Sequence, residues 1–251
     1  MKDWDDLSDW FDAKQGDTGD LWHRALIDPE LLRVMGDTRN QDVLDLGCGN
    51  GYLSRRLARN DARVTAVDSS ERMIENAKKH DPNNLLGIKY ILSSASKLDL
   101  IPSQSFDIVF ANMSLMDIED ADGAISEVSR VVRTGGRFVS SISHPCFDNG
   151  SNSSWIIEKG LTSTRIYRRI RQYRNPFSEN IPWKIPNDER KFTVAYHRPL
   201  SWYARSFKSH GLAITLLEEP EPQREFIEKE DDSSGFMEVP LHLVIEAIKV
   251  S

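Results

Sequence analysis

Cysteine is almost missing from this 251-residue chain: Cys48 and Cys146 are the only two, and they stand in different predicted loops. A disulfide framework and a metal-type Cys pair are therefore excluded. Long apolar runs are missing as well. Nothing approaches the roughly 18 consecutive residues that a membrane span requires, and the mean hydropathy is -0.48. Basic excess is absent: Lys+Arg 32 against Asp+Glu 39 gives a formal net charge of -7, which argues against broad, sequence-independent nucleic-acid binding. The first twenty residues hold seven Asp, two Lys and no apolar stretch, the opposite of a secretory signal. The expectation is a soluble protein of the cytoplasm, long enough for one large domain or two small ones with a sizeable core.

What is present is an alternation of strand-like and helix-like segments through residue 143. Strands are predicted at Val43 to Leu46, Arg63 to Val67, Ile88 to Leu92, Phe106 to Ala111 and Arg137 to Ile142, several so rich in Val, Ile, Leu and Phe that they suit burial on both faces. Helices are predicted at Tyr52 to Arg59, Glu71 to Lys79 and Asp122 to Arg133, the last closed by Gly135 and Gly136. Right-handed crossovers stack these into a doubly wound α/β sheet. Further on, a helix at Ser201 to Ser209 precedes strands Ala213 to Leu217 and Leu241 to Val250, which follow one another across an acidic loop with no intervening helix and can pair antiparallel. Four parts follow: a helical cap over 1–36, with Trp4, Trp10, Phe11, Trp22, Leu26 and Leu31 as packing residues; an α/β core over 37–143; an insertion over 144–198; and completion of the core over 199–251.

The segment Val43-Leu44-Asp45-Leu46-Gly47-Cys48-Gly49-Asn50-Gly51-Tyr52 runs from strand to helix with glycine at three alternate positions. Missing side chains let the backbone turn tightly and let a ligand come close. A glycine loop alone is weak evidence. Here it carries an acid two positions before its first glycine, and Asp68 ends the next strand, where one carboxylate can accept from both hydroxyls of a ribose. The plain alternatives are a helix N-terminal carboxylate for Asp68 and a small loop residue for Cys48. A nicotinamide fingerprint would place its third glycine one residue later.

With these motifs the sequence resembles the class I S-adenosylmethionine-dependent methyltransferases, across residues 40 to 143 and the C-terminal helix and strands. The resemblance implies a seven-stranded Rossmann-like sheet with an antiparallel last strand, and S-adenosylmethionine as cofactor, leaving as S-adenosylhomocysteine. It implies that Gly47, Cys48, Gly49 and Gly51 line the donor, that Asp45 contacts its amino group, that Asp68 grips the ribose, and that Ser69 and Met73 flank the adenosine. Ser94 and Ala95 fall where the family often has an acid and a small apolar residue against the adenine. Asn112, closing the fourth strand, is expected among the donor-binding residues, and Arg24 is placed to pair with the donor carboxylate or, more plainly, to form a surface ion pair.

Ligands of such sheets sit beyond the carboxyl ends of the strands, which gathers Gly47 to Gly51, Asp68, Ser94, Asn112 to Asp117 and His144 to Phe147 at one cleft. Methyl transfer is an in-line displacement for which alignment supplies much of the rate; a hydroxyl acceptor also benefits from a base. His144 is the first candidate for that base, with capping of loop backbone as its plain reading. His23 and His197 are weaker candidates. Met113, Met116, Phe147, Tyr196, His197 and Trp202 are the expected acceptor pocket, and Trp155, Trp183 and Tyr203 further walls. No metal site is expected. The stretch Leu161 to Arg198 holds nine Lys+Arg (Arg165, Arg168, Arg169, Arg171, Arg174, Lys184, Arg190, Lys191 and Arg198) against three acids. Alternation in Arg165 to Arg174 and Lys191 to Tyr196 predicts two strands pairing as a lid, or a solvated basic face. The Asn/Asp-Pro-Pro-aromatic motif of exocyclic-amine methyltransferases is absent at Asn112 to Leu115, so no DNA partner is expected. The reading is methyl transfer to a small-molecule acceptor. An RNA or protein methyltransferase and a non-catalytic donor-binding regulatory protein are the alternatives.

Overall fold

Alternate residues of the first strand go to opposite sides of the sheet. Leu44 and Leu46 join one hydrophobic core with helix residues Ala124, Ile125 and Val128, while Val43 joins another with Leu31, Leu53 and Ile74. This period of two, with apolar residues in both phases, is why the strand is buried on both faces. The computed structural model describes residues 3–161, 164–185, 191–230 and 233–250. Its central strands are β1 (Asp42–Leu46), β2 (Arg63–Asp68), β3 (Lys89–Leu92), β4 (Phe106–Asn112) and β5 (Val132–Ser143), followed after the insertion by β10 (Leu212–Glu218) and β11 (His242–Lys249). They form one seven-stranded sheet in the order β10-β11-β5-β4-β1-β2-β3. β11 runs antiparallel to both β10 and β5, and the remaining pairs are parallel.

Ahead of the sheet lie α1 (Asp3–Gln15), a π-helical turn His23–Ile27 and α2 (Asp28–Met35). The crossovers are α3 (Tyr52–Ala58), α4 (Glu71–Lys79) and α5 (Ala121–Val131), and α6 (Leu200–Ser209) leads into β10. Helix α4 begins where Ser70 Oγ accepts from the Met73 N–H at 3.1 Å, a side-chain N-cap. Contrary to the expected loop, two short helices, α7 (Arg224–Lys229) and α8 (Ser233–Phe236), lie between β10 and β11, where Phe226 and Phe236 pack into a core with Leu26 and Ile27, and the two strands still pair antiparallel.

Two further expectations change. Gly135 and Gly136 do not cap α5, which ends at Val131 and passes straight into extended backbone; both glycines lie inside β5, in an excursion between the pairs Phe106–Val132 and Ile108–Arg137. The excursion brings Arg133 to Asp42, at 2.9 Å, and to Asp107. The two alternating segments of the insertion are strands, but they do not pair with each other. β6 (Ser153–Lys159) pairs with β7 (Thr164–Ile170), and β8 (Phe177–Trp183) with β9 (Lys191–His197), giving two hairpins. Hairpin neighbours close at less loop-entropy cost than segments twenty residues apart. Arg190 lies outside the described residues.

Candidate active site

The ends of β1, β2 and β4 deliver the first groups. Between β1 and α3 the chain turns through Gly47, Gly49 and Gly51, all at positive φ. These glycines differ in purpose. A Cβ at Gly47 would stand 2.5 Å from Ser114 Cβ, whereas one at Gly49 would meet nothing nearer than a Phe11 carbon at 3.9 Å. Gly47 thus permits close packing against β4's exit, and Gly49 leaves bare backbone facing open space.

That space is a cavity of about 390 Å³. Asp68 lines it, its carboxylate accepting from the Gly49 N–H at 2.8 Å and the Ser70 N–H at 2.9 Å. The Ser69 N–H adds a third backbone donor; an ionised carboxylate has about four acceptor positions, so these bonds fix it and still leave capacity for a ligand hydroxyl. Burial pushes the Asp68 carboxyl up, against the pull of its backbone N–H donors. Asp45 is 2% exposed and accepts from Ser54 Oγ at 2.5 Å. Burial takes it up to about 7, Ser54 works the other way, and the nearby charges of Asp68 and Asp28 add to the rise.

Beside them runs a network the sequence did not suggest. The Tyr52 hydroxyl donates to buried Asp28 at 2.9 Å, Asn112 Nδ2 reaches the same carboxylate at 2.9 Å, and Ser141 Oγ donates to Asn112 Oδ1 at 2.6 Å. Each member is far from the others in sequence, so no spacing announces it. The network holds the end of β4 where Met113 follows at φ 51, and Met113 lines the cavity. Strained backbone of this kind persists only where its surroundings enforce it.

The facing wall comes from the N-terminal helix and the second hairpin. Trp4 and Phe11 of α1 meet Trp183 of β8 with ring centroids 5.8 and 6.3 Å apart. Trp183 donates from Nε1 to Thr193 Oγ1 at 2.9 Å. Acids along α1 tie it down, Asp5 to Ser70 at 2.5 Å and Asp9 to Arg72 at 2.7 Å. Glu179 of β8 accepts from the Ser151 N–H at 3.1 Å. Glu179, Ile181, Trp183, Thr193 and Ala195 all line the cavity.

Of the residues singled out from sequence, Asp45, Gly47, Cys48, Gly49, Asp68, Ser69, Met73, Ser94, Ala95, Asn112, Met113, Met116, Tyr196 and His197 line this one cavity, with His23, Trp183 and Tyr203. Five do not. Gly51 closes the turn behind it, its N–H donating to Cys48 O at 2.9 Å. Arg24 takes its plain reading, an ion pair with Glu225 at 2.7 Å. His144, expected as the base, is 3% exposed and spent on structure: Nδ1 accepts from the Cys146 N–H at 3.1 Å and Nε2 faces Glu219 at 3.1 Å. Burial also lowers its pKa, with Glu219 opposing. Phe147 packs on the His144 ring at 4.6 Å. Trp202 lies behind Arg198, ring to guanidinium 5.0 Å. Trp155, expected as a further wall, stacks instead against Arg168 at 4.9 Å.

Two residues supply polar groups that sequence reasoning did not single out for this role. Asp117, just after β4, lines the cavity with no hydrogen bond to its carboxyl among the described residues, and burial pushes it up to about 8. Arg198, at the end of the insertion, lines the cavity beside Tyr203. Asp117 belonged to a segment expected at the cleft; Arg198 looked like one basic residue among nine. Among the described residues no group of three or more His, Cys, Asp or Glu side chains could hold a metal ion.

Comparison with known proteins agrees with this geometry. Residues 44–140 match the family described as methyltransferase domain. An S-adenosylmethionine-dependent methyltransferase from Mesorhizobium loti superposes with a TM-score of 0.71 at 25% identity, covering 88% of this chain and 96% of that one. Residues 44–140 thus form a methyltransferase domain, and the chain has the fold of the S-adenosylmethionine-dependent methyltransferases. Among curated relatives, an uncharacterized methyltransferase of Schizosaccharomyces pombe is 34% identical over 149 residues, 55% of this chain and 54% of that protein. A malonyl-[acyl-carrier protein] O-methyltransferase of Hahella chejuensis is 38% identical over 118 residues, 46% of this chain and 41% of that protein. The chain thus spans about half the length of the curated relatives it matches. S-adenosylmethionine is the family's cofactor, and the residues fit it: Gly49 leaves a cradle that a Cβ would fill, and Asp68 keeps acceptor capacity beside it.

Proposed function

We propose that this protein transfers a methyl group from S-adenosylmethionine to a small-molecule acceptor held between the strand ends and the second hairpin. The observation that carries this reading is that donor-type residues (Asp45, Gly49, Asp68, Met73) and insertion residues (Ile181, Ala195, His197) line one and the same cavity. A wall formed by α1 and β8 over the strand ends favours a small acceptor. An RNA or protein substrate would need an exposed groove instead, and a donor-binding regulatory protein would need no acceptor half at all. No helix among the described residues is long and apolar enough to cross a membrane, in keeping with a cytoplasmic setting.

In this reading Asp68 holds the ribose hydroxyls, Asp45 the amino group, and Met73, Ser94 and Ala95 the adenosine. When bound, S-adenosylmethionine supplies a methyl carbon on a positively charged sulfur, which departs with the electron pair of the broken C–S bond. Met113 and Met116 close an apolar surface that excludes water from that carbon. Asp117, whose carboxyl has no hydrogen bond among the described residues, accepts the proton that a hydroxyl or amine acceptor must lose. Calorimetric titration with S-adenosylmethionine, S-adenosylhomocysteine and NAD tests the first part. Saturable binding of the two adenosyl ligands without NAD is expected; binding of NAD alone overturns the reading.

A further inference from the structure

Besides the donor-type Asp45 and Asp68, the cavity is lined by Asp117, Asp148 and Glu179. Asp148 is answered by Arg168 Nη2 at 3.1 Å. The other two meet no cation among the described residues. Glu179 accepts from the Ser151 N–H, at 3.2 and 3.1 Å to its two oxygens, and Asp117 makes no hydrogen bond among the described residues. Burial pushes the Asp117 carboxyl up to about 8, yet neither of its oxygens is among the partnerless atoms sealed inside the protein, so they open onto the cavity that Asp117 lines. Both acids border β9. This strand packs on the 3-10 turn Leu115–Asp117, and its Ala195 stands opposite Glu179 in the hairpin register. Glu179, Ile181 and Trp183 of β8, with Thr193, Ala195 and His197 of β9, all line the cavity, as the alternate residues of one pleated face do. Glu179 is the acid on that face. Among the described residues Arg198 is the single lysine or arginine of the lining, and its nitrogens are turned away. Nη2 donates to the carbonyls of Ile118 and Glu119 at 2.7 and 2.8 Å, the side chain also bonds to Tyr203, and Nη1 is shut off from water. Such a lining repels anions, while a ligand cation favours the ionised form of each acid and makes a charge-assisted hydrogen bond.

We propose that the acceptor is a small primary or secondary amine that enters as its ammonium ion, an N–H donating to Asp117 while the charge of Glu179 adds to the attraction. The inference rests on the methyl-transfer reading of the cavity and names the acceptor class within it. A hydroxyl acceptor brings no positive charge to either acid, and a carboxylate or phosphate adds a negative one. Beside a positively charged sulfur a second cation is disfavoured, so the nitrogen passes one proton to Asp117. Its freed lone pair forms the N–C bond as the C–S bond breaks, and the electron pair of that bond stays on sulfur. The methylated amine leaves as a cation, and Asp117 returns its proton to water. Met116, Ile118, Ile181 and Ala195 offer apolar walls for an aryl or alkyl body.

The test uses the whole chain saturated with S-adenosylhomocysteine, titrated with benzylamine, phenethylamine and hexylamine, each beside the alcohol of the same shape, and with phenylacetate. At least one amine is expected to bind about tenfold or more tightly than its alcohol, and phenylacetate to bind more weakly than phenethyl alcohol. Asp117→Asn, which keeps the shape of the side chain, is expected to abolish that preference while leaving S-adenosylhomocysteine affinity within twofold. Glu179→Gln should reduce the preference about threefold. With S-adenosylmethionine in place of the product, the preferred amine should yield its N-methyl derivative, read by mass spectrometry. No preference in the wild-type protein, a preference undiminished in either variant, tighter binding of phenylacetate than of the amines, or methylation of an alcohol and of none of the amines overturns the proposal. Failure of S-adenosylhomocysteine itself to bind would instead sink the donor reading, and an amine bound with the stated preference but never methylated would sink the methyl-transfer reading.

Discussion

The two walls of the cavity are held in place by different forces. On the sheet side, Asp68 is fixed by backbone N–H groups and Asp45 by Ser54, at the ends of strands whose hydrogen bonds are made whatever ligand is present. On the outer side, α1 and the β8–β9 hairpin meet through aromatic edges, the Lys14 ammonium over the Trp183 ring and a bond from Lys191 Nζ to the Asp6 carbonyl, and α1 is tied to α4 by the Asp9–Arg72 ion pair. Aromatic pairs are worth only about 0.5–1.5 kcal/mol beyond the area they bury, and exposed ion pairs under about 1 kcal/mol. The sheet wall is therefore rigid and places charge. The outer wall is an assembly of modest contacts that can open to admit a ligand and close over it.

Substitutions on each wall should separate these roles. The largest effect is expected at Asp117: Asp117→Asn should lower turnover about 100-fold with donor affinity within twofold. The wild-type rate should rise with pH toward about 8, where this carboxyl ionises, and the variant should lose that rise. An unchanged pH profile would remove Asp117 as the proton acceptor. Next, Asp68→Ala should weaken S-adenosylmethionine binding at least tenfold by calorimetry, since a ribose would lose its charged acceptor; an unaltered constant would contradict the ribose assignment.

On the outer wall, Trp183→Ala should weaken donor binding only several-fold, while amide exchange speeds up across residues 3–15. Equal exchange in both proteins would mean that α1 does not depend on the aromatic contact. Asp45 offers a subtler test. Its folded pKa of about 7 exceeds the ordinary carboxylate value, so between about pH 4 and 7 the folded state binds more protons than the unfolded one. The stability from this proton is complete at low pH and is lost as pH rises through 7. Asp45→Asn should therefore gain on wild type by several degrees of melting temperature from pH 4 to 7 and run parallel to it above 8. A constant difference across the range would disprove the raised value. The smallest effect belongs to Arg24, whose partner is half exposed: Arg24→Ala should change stability by no more than about 0.5 kcal/mol and donor affinity by less than twofold.

Much of the sheet wall was legible in the chain. The strands are apolar in both phases, the glycines alternate, and Asp45 and Asp68 stand at fixed distances from them, so local order carries both the fold and the donor residues. The outer wall was half legible. Alternation in the insertion revealed two strands but could not say which partners they take, because pairing is decided by closure and packing rather than by alternation. His144 shows the same limit from the other side: its position after β5 suggested chemistry, and only its bonds to Cys146 and Glu219 reveal that both ring nitrogens are occupied.

The sequence by itself determined the α/β class, the parallel core with its antiparallel final strands, and the glycine-and-acid pattern of the donor site, since each depends on neighbours along the chain. The tertiary structure alone decided, among the described residues, which basic residue of the insertion is buried at the cavity and which acid after β4 has no hydrogen bond to its carboxyl, and that Asp28, Tyr52, Asn112 and Ser141 form one network. Those properties depend on what fills the space around each group, and burial and pairing are set by residues remote in sequence that only folding brings together.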